Sequence, residues 1–285
     1  MDPKGVRVLT RIWTWFVLAF LYIPLIVVGI YAFNKDRIPS FPPDLFTLHW
    51  FRVVFSDPGV APFIRAAFGN SLEAAIFATL LALVLGTLAA FAIHRYRFFG
   101  REAISFVFVL PIALPGIVTA LALSSMVDAV PFIRFGMSAI IVGHATFCVV
   151  VIFNNAIARL RRSSPSIIEA SMDLGADGTQ TFWYVTLPTL KTALVAGGLL
   201  AFGLSFDEIV VTLYLAGTKQ TLPLWIYNNI QRPVYLGAVY VVGLIVLLIS
   251  IVPVYLALRL TGETATPSRM GGATRGAGVE DLGAA

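Results

Sequence analysis

The stretch SSPSIIEASMDLGADGTQTFWYVTLP, residues 163–188, is the longest polar interruption between apolar segments outside the first loop and the tail. Its spacing predicts a short helix that begins near residue 165. Ser166 and Glu169 have the spacing of a capping box, and Ser164 as N-cap before Pro165 is an equally good helix start. Both interpretations predict a compact helix between two long apolar runs.

One side of this predicted helix is apolar or small. Ile167, Ala170, Ser171 and Leu174 follow the i, i+3, i+4, i+7 spacing of a single helix face. Gly175 comes next, and glycine at this position commonly ends a helix. Taken alone, the pattern is that of a surface helix that stabilises one loop.

The composition indicates a membrane protein. Hydrophobic residues make up 58% of the 285 residues and charged residues only 12%, whereas about 25% charged residues is usual in soluble domains. Several membrane spans are therefore expected. The Lys and Arg residues are scattered in small groups, which excludes a basic face for nucleic acid. The single cysteine, Cys148, excludes an internal disulfide.

Six apolar runs are long enough to cross a bilayer, which takes about 20 residues. The first run is longer than the apolar part of a signal peptide, so we interpret it as an uncleaved span. The third contains Pro111 and Pro115, which free backbone carbonyls and kink a helix. The predicted spans are residues 13–33, 71–93, 103–127, 137–158, 189–216 and 236–260.

Three further features belong to the spans and the segments between them. In the loop 34–69, residues 46–55 are predicted to form a short helix at the membrane interface, with Trp50 and Phe51 as anchors. Gly86 and many alanines in the second span predict the close approach of another helix. The tail, rich in Gly, Ala, Thr and Ser, is predicted to be disordered.

The distribution of positive charge predicts the orientation of the spans. With six spans both termini lie on one side, and the segments on that side hold 13 of the 20 Lys and Arg residues, against 7 on the other. The short loops show the clearer contrast, with 3 in residues 94–102 and 1 in residues 128–137. The positive-inside rule places both termini and the 163–188 stretch in the cytoplasm.

Two acids lie inside the apolar fifth run. Asp207 and Glu208 are four to five residues beyond its centre, or about 6 Å toward the outer side. An acid at the centre of a span costs ~2.5–3.5 kcal/mol on insertion scales, so such residues usually face a partner or a pathway. One or both line a cation pathway, or they pair with a basic or hydroxyl group on a neighbouring helix. His144 in the fourth run is expected to be a hydrogen-bonded interior residue.

The 163–188 stretch resembles the EAA loop of permease subunits of binding-protein-dependent ABC importers. That loop has the pattern Glu-Ala-Ala, three residues, Gly, nine residues, Ile, any residue, Leu-Pro. Five positions here match, and two carry replacements of similar size. The positions are Glu169, Ala170, Ser171 (in place of Ala), Gly175, Val185 (in place of Ile), Leu187 and Pro188.

The resemblance covers residues 65–260 and is closest to the spermidine/putrescine group, in particular its second permease subunit. Asn70-Ser71-Leu72, LPIALPGIVTALAL and SFDEIVVTLYLAG followed by TLPLWIYNNI also carry it. It implies an all-α integral membrane protein with six transmembrane helices, the type I ABC importer permease fold and a cytoplasmic coupling helix. Residues 1–64 then hold the N-terminus, first span and external loop, residues 65–260 the permease core, and residues 261–285 the tail.

The same resemblance implies specific residue roles. A short helix docked on an ATPase moves with it, and the tight junction at Leu187-Pro188 passes that movement to the fifth span. The expected ATPase-coupling residues are Glu169, Ala170, Ser171, Gly175, Leu187 and Pro188. Independently of the resemblance, the acids and prolines inside apolar runs give the expected substrate-pathway residues, Asp207, Glu208, Pro111 and Pro115; for the two prolines a purely structural kink is the alternative.

The function implied is a transport subunit, not an enzyme, in a bacterial inner membrane, moving a small organic cation such as a polyamine into the cytoplasm. The implied partners are a second, different permease, a dimer of ATP-binding subunits and an extracytoplasmic substrate-binding protein. This chain has no G-x-x-x-x-G-K-[ST], CxxC or H-E-x-x-H motif, so no metal or cofactor is expected in it, and ATP with Mg is expected on the ATPase. The alternatives are a self-sufficient ion-coupled carrier, or an ABC importer of an opine or amino acid derivative.

Overall fold

The computed structural model describes residues 4–36 and 46–263. Within these ranges the chain forms twelve α-helices and one π-helical turn. The predicted disordered tail lies outside these ranges from residue 264 onward. The helices are α1 (Lys4–Ala32), α2 (His49–Ser56), α3 (Ala61–Arg95), α4 (Arg101–Ala113), α5 (Gly116–Ala129), α6 (Met137–Arg162), α7 (Pro165–Asp173), α8 (Gly178–Thr181), α9 (Leu187–Phe206), α10 (Val210–Leu215), α11 (Leu222–Asn229) and α12 (Leu236–Glu263), with the π-helical turn at Phe182–Thr186.

Five helical stretches in the described ranges are long and apolar enough to cross a membrane: α1, α3, α6, the continuous stretch Gly178–Phe206 and α12. The predicted third span is instead divided between the shorter helices α4 and α5. The all-helical membrane fold expected from the sequence is confirmed. The expectation of one helix over residues 103–127 was wrong, because the chain leaves helical geometry at Leu114 and Pro115.

Helix α3 begins earlier than the sequence predicted. It starts at Ala61, ten residues before the expected position, and runs without interruption to Arg95. Pro62 lies in its first turn, where a missing N–H costs no helical hydrogen bond. Taking this proline as a loop signal made the predicted loop too long.

Helices α3, α6 and α9 pack against one another and form the centre of the molecule. A Cβ atom built on Gly86 of α3 would lie 2.9 Å from the Cβ of Ile152 and 3.0 Å from the carbonyl oxygen of Val149, both in α6. The predicted close approach at Gly86 is therefore confirmed. A larger residue would force these two helices apart, at a cost of about 1–3 kcal/mol for overpacking.

The short helix α2 confirms a predicted element but not its predicted role. Trp50 is only 4% exposed and belongs to the core, where its indole ring occupies the space that a side chain at Gly237 would fill. Trp225 of α11 is buried in the same core cluster. Trp50 therefore packs α2 against α12, and the prediction that it anchors at the membrane interface was wrong.

Candidate coupling and pathway sites

Helix α7 begins at the second of the two predicted starts. Ser164 is the N-cap in extended backbone (φ −68°, ψ 130°) and Pro165 is the first helical residue. The Ser164 and Ser166 hydroxyl oxygens lie 2.7 Å apart, and no side-chain cap bond is present at this end. The predicted capping box of Ser166 and Glu169 was wrong, because proline at the first position starts the helix earlier and leaves Ser166 inside it.

The end of α7 confirms the role predicted for Gly175. This glycine has φ of +88°, a left-handed conformation that other residues adopt only at a cost. Its N–H donates to the carbonyl of Met172 (2.9 Å), and the N–H of Ala176 donates to that of Ser171 (3.1 Å). These two bonds form a Schellman motif, which satisfies the last carbonyls of the helix and turns the chain sharply.

The surface of α7 is open. Leu174 is 89% exposed, and Ile167, Glu169, Ala170 and Gly175 are exposed as well. A Cβ atom on Gly175 would meet nothing within 4 Å. Exposed apolar and small side chains on a single short helix are suited to docking in a groove of another protein.

Ser171, which replaces the second alanine of the EAA pattern, points toward the rest of the loop. Its hydroxyl donates to the carbonyl of Ile168 (2.9 Å) and lies 3.0 Å from the hydroxyl oxygen of Thr181. Thr181 is buried in α8. The replacement thus adds a polar link between α7 and the next helix, which the motif comparison alone did not predict.

A capping box that the sequence reasoning missed starts the next helix. The carboxylate of Asp177 accepts from the N–H of Gln180 (2.7 Å), and the side chain of Gln180 accepts from the N–H of Asp177 (3.0 Å). The spacing Asp-x-x-Gln was available in the sequence as a signal. From this box α8, the π-helical turn and α9 follow without a gap, so Leu187-Pro188 lies within one continuous helix.

The predicted fifth span is interrupted at the acid pair. Helix α9 ends at Phe206, Asp207 is its C-cap, and α10 begins at Val210. The N–H of Asp207 still donates to the carbonyl of Gly203 (3.2 Å), whereas that of Glu208 reaches back only three residues, to Ser205 (3.5 Å). One continuous helix over residues 189–216 was therefore a wrong expectation, and the two acids lie in the non-helical turn.

The structure gives the two acids different surroundings. The carboxylate of Glu208 is partly buried and accepts from the N–H of Val211 (3.0 Å), which caps the first turn of α10. Asp207 is exposed, and among the described residues its carboxylate has no hydrogen bond or ion pair. Glu208 is thus engaged in holding the turn, while Asp207 is available to an external cation.

His144 of α6 connects the two sides of this interruption. It is 1% exposed; its Nδ1 lies 2.8 Å from the hydroxyl of Ser205 in α9 and its Nε2 lies 2.9 Å from that of Thr212 in α10. The Thr212 hydroxyl donates to the carbonyl of Glu208 (2.9 Å). A neutral imidazole that donates from Nε2 to Thr212 and accepts at Nδ1 from Ser205 is consistent with all three hydrogen bonds. The tautomer is assigned from these bonds. The prediction of a hydrogen-bonded interior histidine is confirmed.

A second interruption lies beside the first. Pro115 is the N-cap of α5, and the Cβ position of Gly116 is 3.7 Å from a methyl group of Val210 at the start of α10. The structure therefore brings Pro115 close to the turn that carries Glu208. Pro111 lies in the last turn of α4, and its side chain is outside the described part of the chain. Paired discontinuous helices form substrate sites in many secondary transporters, and the two breaks here show the same local construction.

Comparison with known proteins gives consistent matches. A family model described as "Binding-protein-dependent transport system inner membrane component" matches residues 82–261. The "Putrescine transport system permease protein PotI" of Escherichia coli (strain K12) is 33% identical over 244 residues, covering 79% of this chain and 85% of that protein. The "Spermidine/putrescine transport system permease protein PotC" of the same strain is 30% identical over 256 residues, covering 90% and 94%.

Solved structures with the same fold include two transporter complexes. One is a bacterial ABC transporter involved in the import of the acidic polysaccharide alginate, with a TM-score of 0.65 at 17% identity over 93% of this chain and 99% of that chain. The other is a bacterial alginate ABC transporter in complex with a pentasaccharide-bound periplasmic protein, with a TM-score of 0.66 at 18% identity over 91% and 94%. At these identities the likeness concerns the fold and says nothing of the solute.

Proposed function

Because this chain belongs to the family of binding-protein-dependent transport system inner membrane components, we propose that it is the permease subunit through which an ATP-driven importer moves a small polyamine into the cytoplasm. The observation that carries the proposal is the exposed helix α7, joined through two tight caps to a membrane-spanning helix. The similarity to putrescine and spermidine permeases supports the polyamine class.

The assembly follows from the family. Members of this family work with another permease, an ATPase and a periplasmic binding protein. We propose that the second permease is a different chain and that two ATPase subunits bind ATP and Mg, each holding one coupling helix. This chain then needs no cofactor of its own. The positive-inside rule supports a bacterial inner membrane orientation with both termini and α7 in the cytoplasm.

The coupling step uses the rigidity of the loop. A groove on the ATPase would hold α7 through Ile167, Ala170 and Leu174, with Glu169 and Gly175 at the contact. The stretch Gly178–Phe206 is 29 residues long, or about 43 Å at 1.5 Å per residue. A displacement of α7 would therefore be carried along one continuous helix to the turn at Asp207, near the middle of the membrane.

The turn at Asp207 has the electrostatics that a cation needs. The carboxylate stands at the C-terminal end of α9, where unsatisfied carbonyls give a helix about −0.5 elementary charge. An ammonium group of a polyamine would be attracted both by the carboxylate and by the negative end of the helix dipole. Asp207 is the residue proposed to meet the substrate, Glu208 and Pro115 shape the turn beside it, and Pro111 is proposed to contribute through the preceding helix.

The depth of this turn supports a pathway role. His144, at the level of the turn, is three to four residues outward of the middle of the apolar part of α6, residues 137–158. At ~1.5 Å per residue this is about 5 Å from the centre of the span. A carboxylate at such depth is costly unless it faces water, a partner or substrate.

Reconstituted transport tests the proposal. The complex of this chain with its partner permease, ATPase and binding protein would be placed in liposomes, with ATP inside or absent. We expect ATP-dependent uptake of labelled putrescine or spermidine, and little uptake of an opine or a neutral amino acid. Uptake driven by an ion gradient without ATP would support the self-sufficient carrier, and preference for an opine would overturn the polyamine assignment.

A further inference from the structure

A small polar cleft lies where the ends of α6 and α12 meet the beginning of α9, apart from the two helix interruptions. Its volume is about 240 Å³. Because all three helices belong to stretches long and apolar enough to cross the membrane, a cleft between their ends is expected at the membrane surface. Its lining includes Asn154, Asn155, Arg159, Arg162, Thr192 and Leu260.

The two arginines of this cleft are fixed by backbone bonds. The Nε–H of Arg159 donates to the carbonyl of Thr189 (3.1 Å), and the Nε–H of Arg162 donates to that of Ala158 (3.1 Å). Each guanidinium keeps its terminal N–H groups for another acceptor. Among the described residues neither arginine has a carboxylate within ion-pair distance. Two oriented cations around one cleft repel each other unless an anion joins them.

We infer that the cleft binds the phosphate group of an anionic phospholipid. Guanidinium groups bind phosphate oxygens in pairs of parallel hydrogen bonds, and basic clefts between the ends of transmembrane helices hold anionic headgroups. Asn155 uses one amide N–H for the carbonyl of Val151 (2.9 Å) and retains a second, and the Thr192 hydroxyl is a further donor.

The size and the remaining lining agree with a lipid headgroup. Asn155 and Arg162 are seven residues apart on α6, or about 10 Å along the helix, so the cleft extends from the helix end toward the hydrocarbon. Leu260 and Ala193 add apolar surface, against which a glycerol backbone and the first acyl carbons would pack. A polyamine is a poor occupant, because the two guanidiniums would repel it.

The test uses the intact transporter complex in a neutral detergent. Its thermal unfolding midpoint would be measured with added dioctanoyl phosphatidylglycerol, dioctanoyl phosphatidylcholine or inorganic phosphate at equal concentration. We expect phosphatidylglycerol to raise the midpoint by several degrees, with little effect of the other two. An equal rise with phosphatidylcholine, or a rise with inorganic phosphate and none with phosphatidylglycerol, would overturn the inference.

Two adjacent arginines provide a matched pair of variants. Arg162→Gln is expected to weaken the response to phosphatidylglycerol at least about tenfold in apparent affinity, the loss of one charge-assisted contact. Arg161→Gln removes the same charge from an exposed neighbour that does not line the cleft, and it should respond like wild type. Arg162 is preferred to Arg159 because the latter also ties α6 to Thr189.

An equal loss of the phosphatidylglycerol response in Arg162→Gln and Arg161→Gln would contradict a specific binding site. If Arg162→Gln instead released the ATPase while the lipid response stayed intact, an acidic side chain of that partner would be the occupant and the lipid assignment would fail. None of these measurements depends on which solute is transported, so the result is separate from that of the transport assay.

Discussion

The coupling loop and the interrupted fifth span are both breaks in helical structure, but different interactions hold them. Nearly all the hydrogen bonds of the loop join residues at most ten positions apart, such as Asp177 with Gln180 and Ser171 with Thr181; one long contact, from Nη2 of Arg95 to Sδ of Met172 (3.9 Å), reaches α3. The interrupted span is held by His144, whose two partners are 61 and 68 positions away. The first region is shaped mainly by its own sequence, and the second depends on another helix.

This difference separates the two proposed roles. A loop that holds its own shape can present α7 to an ATPase as a preformed surface, with Leu174 and Gly175 exposed. The turn at Asp207 exists because α6 holds α9 and α10 on either side of it. Changes in the loop should therefore disconnect the ATPase, whereas changes at the turn should alter substrate handling and leave the ATPase connected.

The largest effect is expected from Gly175→Asp. The left-handed backbone at Gly175 costs a residue with a side chain roughly 1–2 kcal/mol, and the new carboxylate would stand in the docking surface. We expect uptake to fall to background while the subunit stays in the membrane with its partner permease. Uptake in cells and co-purification of the ATPase would be measured together.

The control for this variant is Gly178→Asp, which places the same side chain three residues away in ordinary backbone with open space around it. It should transport clearly better than Gly175→Asp. Gly175→Asn should fall between the two, since asparagine and aspartate both tolerate left-handed backbone and only aspartate adds a charge to the docking surface. Normal uptake by Gly175→Asp would remove the coupling role from this loop.

The second largest effect on uptake is expected from Asp207→Asn. Hydrogen bonds to a charged group are worth about 1.5–3 kcal/mol, so loss of the charge should weaken the apparent affinity for a polyamine roughly ten- to hundredfold. Stimulation of the ATPase by the loaded binding protein should persist, because α7 is unchanged. Concentration-dependent uptake and ATPase activity of the reconstituted complex would separate these two readouts.

Asp128→Asn is a suitable comparison, because Asp128 is an exposed acid near the end of α5 and its loss changes the net charge equally. Its uptake should remain close to wild type. If Asp207→Asn and Asp128→Asn reduced uptake alike, the effect would come from the electrostatic field of the outer surface as a whole and not from contact between Asp207 and the substrate.

The same difference explains what the sequence could predict. The helix at 165, its end at Gly175 and the Leu-Pro junction depend on neighbouring residues, and local spacing indicates them well. The end of α9 at Phe206 follows no proline or glycine signal, because Ser205, Asp207 and Glu208 also fit an amphipathic helix. The break is favoured by the bonds to His144 and by the carboxylate of Glu208, which caps α10. The burial of Trp50 likewise depends on Gly237, which lies far away in sequence.

A smaller effect on uptake is expected from His144→Phe. The phenyl ring keeps most of the volume but leaves the hydroxyls of Ser205 and Thr212 without their ring partner, and an unsatisfied buried group costs about 1–3 kcal/mol. We expect a lower thermal unfolding midpoint. We also expect the apparent affinity for a polyamine to fall about fivefold, because the turn would no longer hold Asp207 in place.

His144→Gln, which keeps one donor and one acceptor, should recover part of both losses. If His144 acts by joining α9 to α10, Ser205→Ala and Thr212→Val should each cost nearly as much affinity as the two together. Strictly additive effects in this cycle would mean that each hydroxyl acts alone, and the histidine would then have no bridging role.

The smallest effect is expected from Glu208→Gln. The glutamine side-chain oxygen can still accept from the N–H of Val211, as the carboxylate does at 3.0 Å, so the cap of α10 survives and uptake should stay within about twofold of wild type. Glu208→Ala removes the cap and should lower stability by about 1 kcal/mol, a typical capping contribution. Uptake kinetics and thermal unfolding of both variants test whether the two adjacent acids have different roles.

A loss of uptake in Glu208→Gln as large as that in Asp207→Asn would contradict these separate roles. It would show that both carboxylates contact the substrate and that the hydrogen bond to Val211 breaks when substrate binds.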